Sequence, residues 1–482
     1  MPRGPRKLRI VADGVGLTQF GGVALIREFF QQIGMRGALS RQVRFPQRNN
    51  RYSISESLEA LLYPLVLGLG RIETTEPLRY NGVFHSLAGL PGYPEATSLR
   101  RFLLRLACAG RNALVRLHDT WRTTMMGRPA RAIFDLDSTV LTVYGHQQRA
   151  EVGYNPKKRG RPSYLPLLCF EGRSQDCWEG SYQPGNVQAA TITIPLLERA
   201  FAKLPQPSGP VRVRADGAFF DHKILDFIEG KRAFYVIVAR LTRPLKNRLP
   251  GLCYHRVSLG VWASEFRYCP QGWLGPRRFV VIRRPVPEEP SAQLHLFQLG
   301  GYSYQVFVTN LALKPLPLWR FYNQRARAEL IIRELKDAYA LGKIPTKDFL
   351  ANEVFFQIVL LAYNLLNWFK RLCPQPICNE PRCNACGSGC SSCQHNWSGP
   401  VTCPPCASRP ATLSLRTFSQ PCGAYAECDR PFKSPGLAAC PPNKKFRGSS
   451  NSVIFHAGFR LTFAGRLISI APVASAPPHP IQ

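Results

Sequence analysis

Two short apolar runs, each carrying an acid, constrain the fold of this chain more than any other feature. The first, Ala132 to Leu141, is rich in β-forming residues and holds Asp137 among Ile, Phe, Leu and Val side chains. The second, Val211 to Ala215, ends directly in Asp216. Among apolar neighbours a carboxylate is costly unless it is paired, hydrogen-bonded or bound to a metal. Each acid therefore either caps a turn at a strand end or belongs to a site.

The segments around these runs have the order of an α/β protein. Further strands are predicted at 164–170, 178–182 and 233–241, and helices at 186–204 and 222–231. The order strand, strand, strand, helix, strand, helix, strand predicts a mixed sheet with helices on its faces.

Five regions are expected along the chain. Residues 1–128 are predicted to be helical, with an arginine-rich side, and 129–241 to hold the first part of the α/β core. Residues 242–314 are β-rich with no clear helix, 315–372 contain two strong helices, and 373–482 form a Cys- and Pro-rich tail.

The charge of the chain points to a phosphate-bearing partner. There are 63 Lys and Arg residues against 30 Asp and Glu, a net charge of +33. Nucleic acid is the leading partner and an anionic membrane surface the weaker one. The best candidate membrane span, Val354 to Phe369, is shorter than the ~20 apolar residues needed to cross a bilayer. It predicts a buried helix instead, and without a secretory signal the expected compartment is the cytoplasm.

Residues 319–339 are predicted to form one helix with a polar stripe. Four side chains share that stripe: Tyr322, Arg325, Glu329 and Lys336. At about 100° per residue they project within about 60° of one another over four turns. Such a stripe faces either solvent or a cleft.

The three acids Asp137, Asp216 and Glu329 together come from two strands and a helix. Mg²⁺ prefers hard carboxylate oxygens, and two ions about 3.5–4 Å apart can stabilise both the attacking and the leaving oxygen of a phosphoryl displacement. The three acids are therefore what a two-metal site needs.

These residues resemble the motifs of a known family, the insertion-sequence transposases of the DDE class. The polar stripe matches their Y-x2-R-x3-E-x6-K signature at every spacing. Asp137-Ser138-Thr139 resembles their first acid motif, D-[SG]-T, and Asp216-Gly217-Ala218-Phe219 their second, D-[GAS]-x-[FY]. The resemblance covers roughly residues 18–372.

The resemblance implies an RNase H-like core with a mixed β-sheet, flanking helices and a β-rich insertion, preceded by a helical DNA-binding region. It implies that Asp137, Asp216 and Glu329 hold Mg²⁺, for which Mn²⁺ can substitute, and that the protein cuts and rejoins DNA. Tyr322, Arg325 and Lys336 would then contact the DNA backbone near the cleaved end. The implied partners are the terminal inverted repeats of the element, target DNA and a second copy of the chain. No membrane is implied, and the location would be the bacterial cytoplasm, on the nucleoid.

A basic loop follows the first acid-bearing strand. It contains Lys157, Lys158, Arg159 and Arg161. Such a loop is either a solvated turn or a phosphate-binding element. Because it is close in sequence to Asp137, DNA binding is the favoured interpretation, and each neutralised phosphate would steepen the salt dependence.

Two other interpretations of the chain stay open at this point. Asp135-Leu136-Asp137-Ser138-Thr139-Val140 also matches D-x-D-x-T-[LV], the motif of haloacid-dehalogenase-type phosphatases, with Asp135 as nucleophile. That interpretation leaves the polar stripe and the positive charge unexplained. The other alternative is a catalytically inactive DNA-binding relic of a transposase.

The tail differs in composition from everything before it. Eleven of the 16 cysteines lie between Cys373 and Cys440, and three C-x2-C pairs are among them. The tail is interpreted as a disordered segment, a frame-shifted or fused sequence, or a zinc module. Zinc is the least favoured of the three, because few apolar residues surround the cysteine pairs.

Overall fold

The computed structural model describes residues 10–11, 19–46, 51–129, 131–205, 209–286, 297–373, 460–463 and 466–467. The chain divides into two compact units, Ile26–Lys370 in one and Met1–Leu25 with Arg371–Gln482 in the other. In the second unit the strands Ile10–Val11, Arg460–Phe463 and Arg466–Leu467 form a small antiparallel sheet. The Cys-rich tail is predicted over 373–482, and its three C-x2-C pairs, with the zinc interpretation that rests on them, lie outside the described ranges.

Among the described residues, six α-helices precede the central sheet. They are α1 (Gly21–Gln32), α2 (Met35–Gln42), α3 (Ile54–Val66), α4 (Gly82–Ala88), α5 (Ala96–Ala109) and α6 (Arg111–Met126), with a 3-10 helix at Glu73–Tyr80. A capping box begins α3, since the Ser53 hydroxyl accepts from the Glu56 N–H and the Glu56 carboxylate accepts from the Ser53 N–H. The helix α5 ends and α6 begins at Gly110. A Cβ there would lie 2.5 Å from Leu106 Cδ1, so a larger residue would force the Leu106 side chain to move.

Thirteen strands follow in the described part of the larger unit. They are β1 (Ala132–Ser138), β2 (Leu141–Thr142), β3 (Glu151–Val152), β4 (Pro162–Tyr164), β5 (Leu167–Glu171), β6 (Cys177–Ser181), β7 (Val211–Ala215), β8 (Phe234–Val238), β9 (His255–Ser258), β10 (Val261–Tyr268), β11 (Arg277–Pro285), β12 (Phe297–Leu299) and β13 (Tyr302–Thr309). The remaining helices are α7 (Ala189–Ala202), α8 (His222–Gly230), α9 (Arg243–Arg248), α10 (Pro315–Asn323), α11 (Ala326–Asp337) and α12 (Phe349–Leu372).

Ten of these strands form one mixed sheet in the order β9-β10-β11-β13-β8-β7-β1-β5-β6, with β12 beside β13. The strands β1, β7 and β8 are parallel neighbours, and the other pairs are antiparallel. The predicted α/β fold, a mixed sheet with helices on its faces, is confirmed. The strands β2, β4 and β3 form a separate three-stranded sheet.

The alternation of side chains along β1 separates an apolar face from a polar one. Phe134 and Leu136 belong to a buried cluster that includes Leu196 of α7 and Ile224 of α8. Because strand side chains alternate, Asp135 and Asp137 share the opposite face. The acids therefore lie on the face of β1 that α11 contacts.

The β-rich stretch 242–314 extends the central sheet. Its last strand, β13, pairs with β8, with Val308 opposite Ile237. The stretch also contains α9, a short helix that the sequence did not predict and that has a proline in its first turn.

The predicted helix 319–339 is two helices, α10 and α11, separated at Gln324 and Arg325. The Arg325 N–H bonds to the Tyr322 carbonyl, three residues back, instead of the Phe321 carbonyl. The helix α12 confirms the prediction of a buried helix. It is long and apolar enough to cross a membrane, but 83% of its most apolar 18-residue segment is buried inside the protein.

Candidate active site

The parallel strands β1 and β7 bring the first two acids to the same level of the sheet. Asp135 lies directly opposite Arg214 in their register. Asp137 and Asp216 each follow two residues later, and because side chains alternate they project from the same face. Thus the two acid-bearing runs of the sequence meet at one point.

The guanidinium of Arg325 joins both acids to the third. Its Nη2 lies 3.4 Å from Asp137 Oδ1 and 3.6 Å from Asp216 Oδ2, and its Nη1 donates to Glu329 Oε1 at 2.7 Å. Its Nε donates to the Leu136 carbonyl at 3.3 Å, and the whole residue is only 3% exposed. The structure therefore brings the three predicted acids together around one cation. Three carboxylates against one guanidinium leave the site with an excess of negative charge.

The site is closed on the side of β1 and open towards solvent. The side chain of Asp137 is 10% exposed, that of Asp216 39% and that of Glu329 62%. The Asp137 carboxylate also accepts from the Ser138 N–H. Asp216 caps the 3-10 turn Gly217–Phe219 by accepting from the Ala218 N–H, so it is both a turn cap and a member of the site.

Burial raises the pKa of Asp137 to about 7. The positive charge of Arg325 opposes that shift in pKa, while the negative charges of Asp216 and Glu329 add to it. A carboxyl group whose pKa is shifted this far by burial and by like charges is typical of a functional site.

The structure places Tyr322 and Lys336 differently around this centre. Tyr322 is buried, with its ring 4.8 Å from that of Phe307. Lys336 is half-buried and donates to the Val140 carbonyl, just beyond Asp137 on the chain. Burial lowers the pKa of Lys336, and the positive charge of Lys157 lowers it further. The predicted DNA contacts of Tyr322, Arg325 and Lys336 stay predictions.

All four cationic side chains of the basic loop, Lys157, Lys158, Arg159 and Arg161, are exposed. The loop joins β3 to β4, and the positive charge of Lys157 acts on Lys336. Two tyrosines that the sequence did not single out, Tyr144 and Tyr154, are 72% and 82% exposed in the same small sheet region. The guanidinium of Arg161 lies 5.9 Å from the Tyr144 ring centroid. Aromatic residues flanking a basic loop were the signal that could have revealed them.

Asp135 is engaged in a buried ion pair and does not reach the open site. Its two oxygens accept from Arg214 Nε at 2.5 Å and Nη2 at 2.6 Å, and Asp135 is only 2% exposed. A nucleophile needs a free, accessible oxygen, so this geometry does not support the phosphatase interpretation. The ion-paired role of Asp135 and Arg214 was not predicted.

The donors at the site fit a divalent cation in chemistry and in charge. Asp137, Asp216 and Glu329 offer hard carboxylate oxygens with too little positive charge to balance them. In the described part of the chain no three Asp, Glu, His or Cys side chains lie close enough together to hold a metal ion. At the site of Asp137, Asp216 and Glu329, the guanidinium of Arg325 lies between the three acids and occupies the space where they would otherwise converge.

The chain is similar to a known family and to solved structures. The family described as Transposase DDE domain group 1 matches residues 2–381. The cryo-EM structure of a piggyBac transposase synaptic complex with hairpin DNA is similar with a TM-score of 0.42 and 10% sequence identity, over 74% of this chain and 77% of that chain. No curated protein matches the sequence significantly.

Proposed function

The chain belongs to the Transposase DDE domain group 1 family, and we propose that it cuts and rejoins DNA at the ends of its own insertion element. One observation supports this proposal most: Asp137, Asp216 and Glu329 surround a single guanidinium at the open side of the sheet. Such a cluster attracts cations and suits the phosphodiester chemistry of the family.

In this proposal Asp137, Asp216 and Glu329 hold Mg²⁺, for which Mn²⁺ can substitute. When bound, the metal supplies Lewis-acid polarisation of the phosphate and lowers the pKa of an attacking water. Asp137 must be deprotonated to act as a ligand, which its pKa of about 7 allows near neutral pH. Its buried position fixes one ligand firmly, while the more exposed Glu329 can adjust.

Arg325 has a second task in this proposal. Its guanidinium lies where the three acids converge, so it must withdraw before they can close around a metal ion. A guanidinium displaced towards the open side would present a fork of donors that matches a phosphate. Arg325 would thus neutralise the acids first and the DNA backbone afterwards, with Lys336 and Tyr322 beside it.

The basic loop extends the phosphate-binding surface away from the acids. Lys157, Lys158, Arg159 and Arg161 are exposed and available to the terminal repeats or to target DNA. We also propose that two copies act on paired ends, and that the protein works in the bacterial cytoplasm on the nucleoid.

A cleavage assay tests the proposal. Purified protein is incubated with Mg²⁺ and a plasmid that carries the DNA flanking its gene. Glu329→Gln is compared with Glu334→Gln, which alters an exposed acid on the same helix, α11. We expect wild type and Glu334→Gln to cut at the repeat ends, and Glu329→Gln to bind the DNA without cutting it. EDTA should stop cleavage, and added Mg²⁺ or Mn²⁺ should restore it.

Two outcomes would count against the proposal. Equal cleavage by Glu329→Gln and wild type would remove Glu329 from the site. Salt-sensitive DNA binding without any cleavage would favour the inactive relic.

A further inference from the structure

The ion pair between Asp135 and Arg214 lies directly behind the acids on the same strands. Asp135 is two residues before Asp137 on β1, and Arg214 on β7 is two residues before Asp216, which directly follows that strand. The two side chains are cross-strand partners, and both are buried, Arg214 completely. The ion pair therefore lies next to the first two acids, on the same face of the sheet and one side-chain position earlier along each chain segment.

Arg214 also reaches from the sheet to the break between α10 and α11. Its Nη1 donates to the Phe321 carbonyl at 2.7 Å and to Gln324 Oε1 at 3.2 Å. Its guanidinium lies 4.8 Å from the Phe321 ring centroid. One side chain thus contacts β1 through Asp135 and the end of α10 through Phe321 and Gln324.

The contact with Phe321 lies at the break itself. In a continuous helix the Phe321 carbonyl would accept from the Arg325 N–H, four residues later. Arg214 donates to that carbonyl, and the Arg325 N–H bonds to the Tyr322 carbonyl instead. The chain then restarts as α11, whose first turn carries Glu329.

We propose that Arg214, held in place by Asp135, is a positioning residue that sets Glu329 against Asp137 and Asp216. It acts through the break between α10 and α11 and touches neither substrate nor metal. This inference rests on the proposed function, because it assigns Arg214 to the geometry of the same three acids.

Gly172 shows that the surrounding chain is shaped to fit the ion pair. A Cβ at this position would lie 2.6 Å from Arg214 Nη2 and 2.9 Å from Asp135 Oδ2. The Gly172 N–H donates to the Ile133 carbonyl at 2.7 Å, which holds this part of the chain against β1. Any larger residue would push directly on the ion pair.

The experiment measures metal binding in three variants. Gln324→Ala removes one acceptor of Arg214 from an exposed position, and Arg214→Lys keeps the charge but loses the planar fork. Asn323→Ala, an exposed neighbour at the end of α10, is the matched control. Free Mn²⁺ is followed by electron paramagnetic resonance without DNA, and thermal unfolding is recorded in EDTA.

We expect Gln324→Ala to raise the Kd for Mn²⁺ about 3- to 10-fold, the range for losing one ordinary hydrogen bond. Arg214→Lys should raise it further, and Asn323→Ala should leave it unchanged. In cleavage assays Gln324→Ala should lower kcat and raise the Mg²⁺ requirement, while KM for DNA stays at the wild-type value. A merely structural role would lower the unfolding temperature and leave the Mn²⁺ affinity alone.

The positioning role is overturned if folded Gln324→Ala and Arg214→Lys bind Mn²⁺ as tightly as wild type. Gln324→Ala keeps the test decisive if Arg214→Lys does not fold, because Gln324 is exposed. Wild-type protein that binds no Mn²⁺ and cuts no DNA would instead overturn the proposed function, and the positioning role with it. The positioning role alone would be overturned by a different set of results. In that case wild type binds Mn²⁺ and cuts DNA, Glu329→Gln does not cut DNA, and Gln324→Ala binds Mn²⁺ and cuts DNA as wild type does.

Discussion

Two acids two residues apart on one strand face have opposite surroundings. Asp135 has a partner of its own, since both of its oxygens are bound by Arg214. Asp137 shares the single guanidinium of Arg325 with Asp216 and Glu329. Both are buried, at 2% and 7% exposure. Charge balance, and not burial, therefore distinguishes the structural acid from the acid suited to chemistry.

Replacing each acid by its amide tests this contrast and gives the largest expected effects. Asp137→Asn removes a proposed metal ligand, and a loss of several kcal/mol of transition-state stabilisation lowers cleavage by about 10³-fold or more. The same change relieves like-charge repulsion, so stability should hold or rise. Asp135→Asn leaves Arg214 buried and unpaired, which should cost about 3–5 kcal/mol of unfolding free energy.

Urea unfolding and the plasmid cleavage assay measure both variants side by side. The contrast fails if Asp137→Asn is destabilised as strongly as Asp135→Asn. Burial, and not charge balance, would then determine how much each acid contributes to the unfolding free energy.

The pH dependence of stability tests the surroundings of Asp137. The folded-state pKa of Asp137 is about 7, against an ordinary value of 3.8, so the folded protein holds that proton more tightly than the unfolded chain. Stability from this group is fully present below about pH 4 and is lost as the pH rises through about 7. The loss is at most about 4 kcal/mol.

Unfolding in EDTA between pH 4 and 8 checks this sign. The difference in unfolding free energy between Asp137→Asn and wild type should grow as the pH rises. A difference that is constant over this range would contradict the raised pKa.

Removing the shared guanidinium should expose the charge imbalance. In metal-free buffer Arg325→Gln should lose about 1–3 kcal/mol of stability, less than a fully buried pair because Asp216 and Glu329 face solvent. Mg²⁺ should then stabilise this variant more than it stabilises wild type, since the guanidinium no longer competes for the acids. Arg327→Gln, at an exposed position on the same helix, serves as the control. Equal Mg²⁺ stabilisation of wild type and Arg325→Gln would show that the guanidinium and the metal do not compete.

Local sequence signals were enough for the elements that carry the acids. The apolar runs at β1 and β7, the buried helix α12 and the order of strands and helices follow from periodicity and burial. The motif spacing also identified three acids that the structure brings together. These features depend on neighbours close in sequence or on one repeated pattern.

Features set by distant partners could not be predicted in the same way. Helical periodicity predicted a single helix spanning 319–339. The periodicity contains no information that Arg214 donates to the Phe321 carbonyl. Nor could it show that Arg325 turns inward to the acids, although it placed Arg325 on the same stripe as Glu329. The extension of the sheet by β13 is likewise a pairing between distant segments.

Substitutions in the basic loop should give the smallest effect for each residue, a change in the salt dependence of DNA binding. They also test a function of the loop that is separate from metal binding by the acids. Lys157, Lys158, Arg159 and Arg161 are exposed, so their interactions are screened by salt, whereas those of the buried ion pair are not. Each alanine substitution that removes one phosphate contact should reduce the slope of log K against log salt by about 0.9. Fluorescence anisotropy with duplex DNA in EDTA measures the slope, and Lys343→Ala, at an exposed position outside the loop, is the control.

Mn²⁺ affinity should stay at the wild-type value in the Arg159→Ala and Arg161→Ala variants, because the acids and Arg325 are untouched. An unchanged salt slope would make the loop a solvated turn. A changed Mn²⁺ affinity would mean that the loop and the acids interact electrostatically. The contrast between the charge-balanced Asp135–Arg214 pair and the unbalanced acids around Arg325 would then have to include the loop.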